Sequence, residues 1–235
     1  MGTSSEVDLS VVITAHREGI IAGATSRSAI AAIDRAAAEA SLSCEVIVIL
    51  DNSDALTRRT LHHGLRGCAP RFIETNIGDP GGARNQGVRE SLGSTVAFLD
   101  ADDLWSSNWL IEATKLLRER PDCIAHSTCN VQFGLERNIW WHIDSEGPFF
   151  NPDYLEWGNY WDALSMARRD LYLQFPFLPN DLKFGYGHED WHWNAVTIAA
   201  GIPHKPVPNT VHFKRRRAGS QMALVERSGS VRRPL

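Results

Sequence analysis

The sequence is poor in the features that carry a chain across or into a membrane. None of its 235 residues falls in an apolar run near the ~18 that a membrane-spanning helix needs. Met1-Gly2-Thr3-Ser4-Ser5-Glu6 lacks the basic-then-apolar form of a signal peptide. The four cysteines, Cys44, Cys68, Cys123 and Cys129, make neither a CxxC pair nor a zinc spacing. They read as reduced thiols in a cytoplasmic protein. Internal repeats and low-complexity linkers are absent, which excludes solenoids and leaves one continuous domain over residues 1–235. Positive charge is scarce as well: 24 Lys and Arg face 28 Asp and Glu, for a net charge of −4, so overall charge excludes a nucleic-acid partner.

Apolar residues make up 43% of the chain and charged residues 22%, the balance of a globular enzyme. The positive charge that exists is gathered near the end. From Lys214 onward, Lys214, Arg215, Arg216, Arg217, Arg227, Arg232 and Arg233 stand against one acid, Glu226. Residues 221–235 therefore read as a basic tail with two open roles. It is either a solvated end or a surface for phosphate groups or the anionic inner face of a membrane.

The first half alternates two kinds of pattern. Leu9–Ala15 ("LSVVITA"), Glu45–Asp51 ("EVIVILD"), Arg71–Thr75 and Thr95–Asp100 are short β-branched or apolar runs, the mark of strands buried on both faces. Between them, residues 20–40, 53–65 and 81–92 carry helical spacing. Strand–helix alternation predicts an α/β fold with a central, mainly parallel sheet and helices on both faces. Ligands of such sheets bind beyond the carboxyl ends of the strands. Thr14-Ala15-His16, Asp51 and Asp100 all lie at those ends. The second half is dense in aromatics, including Trp140, Trp141, Trp157, Trp161, Trp191 and Trp193, and shows fewer clear units. Helices are expected at 109–120 and 189–200.

The stretch "VAFLDADDLW" runs from a buried strand straight into Asp100, Asp102 and Asp103. Carboxylates that close repel and raise one another's pKa, so a positive group is expected among them. Oxygen ligands at a strand end suit a hard divalent cation, Mg²⁺ or Mn²⁺; a helix N-cap accounts for the same residues equally well. Asn76–Gly87 is a Gly-rich turn leading into a helix, with Arg84 and Asn85 just inside its start. Further on, "GYGHEDW" opens a helix with the adjacent acids Glu189 and Asp190. They read either as charge favoured by the helix dipole or as a general base at the mouth of a site.

In order, "VVITAHREG", "VIVILDNSD", "NIGDPGGARNQGV", "AFLDADDLW", "SMARRDLY" and "GYGHEDWHWN" resemble the family 2 glycosyltransferases of the GT-A fold, from about Leu9 to about Ser220. The resemblance implies a Rossmann-like three-layer sandwich. Residues 9–105 would form its nucleotide-sugar half and 106–220 its acceptor half. It implies a metal-dependent transfer, with inversion, from a nucleotide-diphospho-sugar to an acceptor hydroxyl, the metal being Mn²⁺ or Mg²⁺. UDP is the family's commonest nucleotide, with GDP and dTDP as alternatives. The acceptor is a glycan, a lipid-linked intermediate, a small metabolite or a protein, as in polysaccharide biosynthesis; a homodimer stays open. Position by position, Thr14, Ala15, His16, Glu18, Asp51, Arg84, Asp100 and Ala101 would contact the nucleotide. Asp102, with Asp100 and His212, would hold the metal. Asp190, beside Glu189, would deprotonate the acceptor. Trp105, Trp161 and His188 would face the sugars, and Arg215, Arg217 and Ser220 the diphosphate. One departure is "LDNSD", which stands where the family commonly has "DDGS".

Three enzyme rivals and one non-enzyme share parts of this pattern. A retaining GT-A transferase shares the sheet and metal acids. A nucleotidyltransferase would carry a more basic Gly-rich loop near its start. A glycosidase uses two carboxylates but needs no nucleotide-side set. A non-catalytic sugar- or nucleotide-binding module would usually have lost Asp102 or Asp190.

Overall fold

The computed structural model describes residues 7–235, and the order of elements begins as the alternation predicts. Strand β1 (Leu9–Ala15), helix α1 (Ala22–Ala40), β2 (Cys44–Asp51), α2 (Ala55–Leu65), β3 (Arg71–Thr75), α3 (Pro80–Glu90) and β4 (Thr95–Asp100) follow one another. The helix starts shift by one to two residues for local reasons. Gly19 takes a positive φ of 64°, and Gly19–Ile21 makes a 3₁₀ turn ahead of α1. Asp54 caps α2 by accepting a hydrogen bond from Thr57 N. Asp79 caps α3 through Gly82 N, with Pro80 in the first turn, where its missing N–H costs nothing.

The second half adds β5 (Leu104–Trp105), α4 (Trp109–Glu119), β6 (Ile124–Gly134), β7 (Asn138–Trp141), β8 (Ser165–Arg168), α5 (Arg169–Gln174), β9 (Tyr186–Gly187), α6 (Glu189–Ala199), β10 (His204–Arg216), α7 (Gln221–Ser228) and β11 (Val231–Arg232). One nine-stranded sheet runs β3-β2-β1-β4-β8-β6-β10-β5, with β7 pairing β6 off that path. Pairings β1–β2, β2–β3, β1–β4 and β6–β10 are parallel, while β8 runs antiparallel between β4 and β6.

The sheet divides two apolar cores, and strand periodicity assigns residues to each. Val11, Ile13, Val46, Val48, Ala97 and Leu99 pack on the side of α1, α2 and α4. Val12, Ile47, Ile49, Val96 and Phe98 pack on the side of α3, α5 and α6, against Tyr172, Phe177 and Trp193. Alanines let α1 lie close to the sheet: Ala22, Ala29, Ala32 and Ala36 are fully buried. On the opposite face, a Cβ on Gly87 would meet Val12 Cγ1 at 2.2 Å, so α3 approaches β1 only because that position is glycine.

Residues 221–235, read above as a basic tail, carry secondary structure. β11 pairs β9 in parallel, Arg232 forms an ion pair with Glu156, and Arg233 lies over the Tyr186 ring. Val225 of α7 is buried. Among the described residues no helix is long and apolar enough to cross a membrane.

Candidate functional site

A cavity of about 520 Å³ opens at the carboxyl ends of β1, β2 and β4. α3, β6, β7, the segment 159–163, α6, β10 and α7 contribute further walls. On its nucleotide side, Thr14, Ala15, His16, Glu18, Asp51, Arg84 and Asp100 all line it. His16 is exposed, and its Nδ1 donates to the carbonyl of Asp51 at 2.7 Å, which fixes the ring and leaves its face free. Both Asp51 oxygens are occupied: Oδ1 accepts from Ile77 N and Thr75 Oγ1, and Oδ2 from Gly78 N. Asp51 thus shapes the Gly-rich turn as well as facing the cavity.

The positive group expected among the strand-end acids is supplied by the chain itself. Lys214, on β10, places Nζ 3.0 Å from Asp103, 3.2 Å from Asp162 and 3.6 Å from Asp100. Arg84, on α3, donates from Nη2 to both Asp100 oxygens and from Nη1 to Glu189. Thr14 Oγ1 adds a hydrogen bond to Asp100 Oδ1 at 2.7 Å. Burial alone would raise Asp100, but Arg84 and Lys214 hold it down, to about 2. Asp103 goes the other way. Burial, with Asp102 and Asp100 alongside, pushes it up to about 7 against the pull of Lys214. Asp103 also accepts Arg215 N at 2.7 Å, which ties β10 to the acidic turn.

Asp102 is the acid left for a ligand. It lines the cavity with 13% of its side chain exposed, and its one side-chain partner among the described residues is Arg217 Nε at 2.9 Å. Arg217 also approaches Glu18 Oε1, at 3.6 Å. Glu18 is raised by burial, and the nearby Asp102 charge adds to that. The oxygen-only chemistry here fits a hard cation. The protein offers few ligands, however: among the described residues no group of three or more His, Cys, Asp or Glu side chains could hold a metal.

Across the cavity, α6 is preceded by His188 at its N-cap position, which takes the left-handed conformation at φ 59°. A non-glycine residue held there stores strain of about 1–3 kcal/mol, and that turn delivers Glu189 and Asp190 to the cavity wall. The two acids differ in their partners. Glu189 is tied to Arg84 and to Asn180 Nδ2 at 2.9 Å. Asp190 forms no ion pair among the described residues and accepts one hydrogen bond, from the N–H of Trp191. Burial pushes Asp190 up to about 7, and the Glu189 charge adds to it, against Arg84 and Lys214. His188, Arg215, Arg217 and Ser220 also line the cavity.

Four expected contacts are not brought to the site. His212 is fully buried, with its ring against Trp109 at 4.5 Å and both nitrogens without a hydrogen-bond partner among the described residues, and it does not line the cavity. Lys214, two residues further along β10, places its ammonium at the acids. Trp161 is fully buried, stacked on His204 at 4.2 Å, and donates from Nε1 to the carbonyl of Ile143. Trp105 is 4% exposed and packs on Trp109 and His212. Ala101 is buried beneath the cavity, its N–H donating to Thr14 O. The aromatics that do line it are Trp140 and Trp191. Sequence reasoning passed over Lys214, Asp103 and Asp162 as a set. Lys214 was one of a basic run, and Asp162 a lone acid in "NYWDALS".

A sequence model of the family described as "Glycosyl transferase family 2" matches residues 10–175. No curated protein matches the chain. Solved structures similar in fold include residues 1–349 of TarS from S. aureus in complex with UDP-GlcNAc, at 16% identity and a TM-score of 0.62. That match covers 92% of this chain and 61% of the other. The mannosyltransferase PcManGT from Pyrobaculum calidifontis, in complex with GDP-Man and Mn²⁺, matches at 16% identity and a TM-score of 0.64, covering 94% of this chain and 60% of that one. GalNAc-T7 with UDP, GalNAc and Mn²⁺ matches at 17% identity and a TM-score of 0.64, covering 92% and 45%. The chain thus spans about three fifths of the length of the TarS fragment and shares the GT-A fold of all three.

Proposed function

The chain belongs to glycosyl transferase family 2, and from that premise we propose that it transfers a sugar from a nucleotide-diphospho-sugar to an acceptor hydroxyl, with inversion. The observation that carries this reading is the division of labour among the carboxylates. Asp51, Asp100, Asp103 and Glu189 are each held by cations or backbone N–H groups. Asp190 is in the cavity without an ion-pair partner among the described residues and is raised to about 7, which suits a general base near neutrality.

In this mechanism, His16 stacks on the base and Thr14 and Asp51 border the nucleotide. Arg84 does not reach the nucleotide freely; it locks Asp100 to Glu189 and so fixes α6 against β4. Asp190 accepts the proton of the attacking hydroxyl. Glu189 positions Asp190 by anchoring the first turn of α6. Arg217, Arg215 and Ser220 meet the diphosphate. A divalent cation held by Asp102 would screen the negative charge that grows on the leaving diphosphate. The neighbours crystallised with Mn²⁺ support such an ion. UDP is the nucleotide we favour, with GDP the alternative. The basic residues of the segment 221–235 suit an anionic or membrane-borne acceptor.

Calorimetric titration with UDP, GDP and dTDP, each with Mn²⁺ and with EDTA, tests the reading. Metal-dependent binding of one nucleotide is expected, lost in Asp102→Asn and retained in Asp190→Asn while transfer is abolished. Binding of none would refute it.

A further inference from the structure

Resting on the transferase reading, we propose that Asp162 reads the sugar end of the donor. Its carboxylate accepts a hydrogen bond from a hydroxyl of the transferred hexose and turns away sugars that carry a carboxylate of their own. Asp162 sits in the segment before β8, is 3% exposed, and lines the cavity beside Asn159, Ala163 and Asp190. Its Oδ2 accepts from Asn130 Nδ2 at 3.0 Å and lies 3.2 Å from Lys214 Nζ. Its Oδ1 is buried and has no hydrogen-bond partner among the described residues.

A buried polar atom without a partner costs about 1–3 kcal/mol, and such atoms are few in native structures. At a cavity wall, a ligand donor resolves the cost. The only donors that a hexose presents in quantity are hydroxyls. Two anchors on Oδ2 fix the group before the ligand arrives, so little entropy is lost on binding. Burial would raise Asp162, but the Lys214 ammonium, by its charge and its hydrogen bond, holds it below the usual carboxylate range. It is therefore an anion that accepts and does not donate.

Its place in the site agrees. Through Lys214 it shares a cation with Asp100 and Asp103 on the donor side, and its charge is felt by Asp190 on the acceptor side. The sugar must cross the space between those two sides. That space holds Asp162 and Asp190, while Lys214 and Arg84 are already paired. A uronate there would set a further carboxylate beside these two. A neutral hexose or N-acetylhexosamine meets no such barrier.

The test titrates wild type, Asp162→Asn and Asp162→Ala with UDP, UDP-glucose, UDP-GlcNAc, UDP-glucuronate, GDP and GDP-mannose, all with Mn²⁺. Wild type should bind a neutral sugar nucleotide more tightly than the bare diphosphate, and UDP-glucuronate about tenfold more weakly than the neutral sugars. Asp162→Ala should remove about tenfold or more of the sugar nucleotide's affinity while changing that of the bare diphosphate less than about twofold. Asp162→Asn, which keeps the volume, should narrow the neutral-over-uronate ratio toward one. Equal losses for bare and sugar-bearing ligands would assign Asp162 a structural role and overturn the proposal. So would unchanged binding, or a wild type that gains nothing from any sugar. A wild type that binds no nucleotide overturns the transferase reading itself, and this assignment with it.

Discussion

Replacing Lys214 with methionine removes one charge and little volume, and the geometry says what that should do. Its Nζ sits 3.0 Å from Asp103, 3.2 Å from Asp162 and 3.6 Å from Asp100. At an effective dielectric constant of ~20, each contact is worth roughly 5 kcal/mol of attraction before desolvation is subtracted. Removing one partner of a buried pair typically costs about 3–5 kcal/mol, because the other charge stays buried and uncompensated. Here three carboxylates are left facing one another, with Arg84 alone to offset Asp100. A loss of about 4 kcal/mol at pH 8 is expected, a large share of the ~5–15 kcal/mol that holds a typical domain together. The pH dependence distinguishes charge from packing. Asp103 already lies at about 7 with Lys214 present; losing the lysine pushes it further up and releases Asp162, which burial then raises, from its lowered range. Raised carboxylates bind protons in the native state before they do so in the unfolded one, so stability of the variant grows as pH falls through that window. The deficit should shrink by about 1.4 kcal/mol per pH unit for each carboxylate that protonates. Urea unfolding of both proteins at pH 8 and pH 6 measures it. A deficit below about 1 kcal/mol, or one equal at both pH values, would refute the idea that Lys214 is the counter-ion of this cluster.

The base assignment predicts a kcat/KM that rises with pH through an apparent pKa near 7, as Asp190 loses its proton, and a pH–rate profile without that limb rules it out. Arg217→Ala frees Asp102, so Mn²⁺ should bind the nucleotide-free protein several-fold more tightly while a nucleoside diphosphate binds more weakly; calorimetry with each ligand alone checks both signs. His126, His142, His204 and His212 are buried in their neutral forms and lowered by that burial, His204 and His212 to about 3. The unfolded chain therefore takes up protons below pH ~6.5 that the native state refuses, and stability falls on acidification. The raised Asp103 and Asp190 oppose this in part, so a net loss of more than about 1 kcal/mol per pH unit between pH 6 and 5 is expected in urea titrations.

The legible half of the fold is the half whose strands are uninterrupted. β1 and β4 run over the residues that their apolar runs mark, because strands covered on both faces must be apolar throughout. β10 was illegible for the converse reason. It carries Pro206, Pro208 and a run of cations, and its register with β6 shifts between Val207 and Val211. No period of two survives such a break. The wall it builds, with Lys214 at the acids and His212 in the core, stayed hidden with it.

The sequence by itself determined the alternation of strand and helix, the strand ends at which polar groups gather, and the two acids that open α6. Each of these is a local signal, a period or a cap, and needs no distant partner. It also required a cation among Asp100, Asp102 and Asp103, since like charges so close demand one. Which cation that is, only the tertiary structure decided. Lys214 lies more than a hundred residues away in the chain, and the pairing of β10 with β6 and β5 brings its ammonium to the turn after β4. The same folding ties Glu189 to Arg84, leaves Asp190 without an ion pair among the described residues, and withdraws Trp105, Trp161 and His212 into the core. Whether a charged side chain stays free or finds a counter-ion depends on contacts made across the whole chain, and composition and spacing carry no record of those distances.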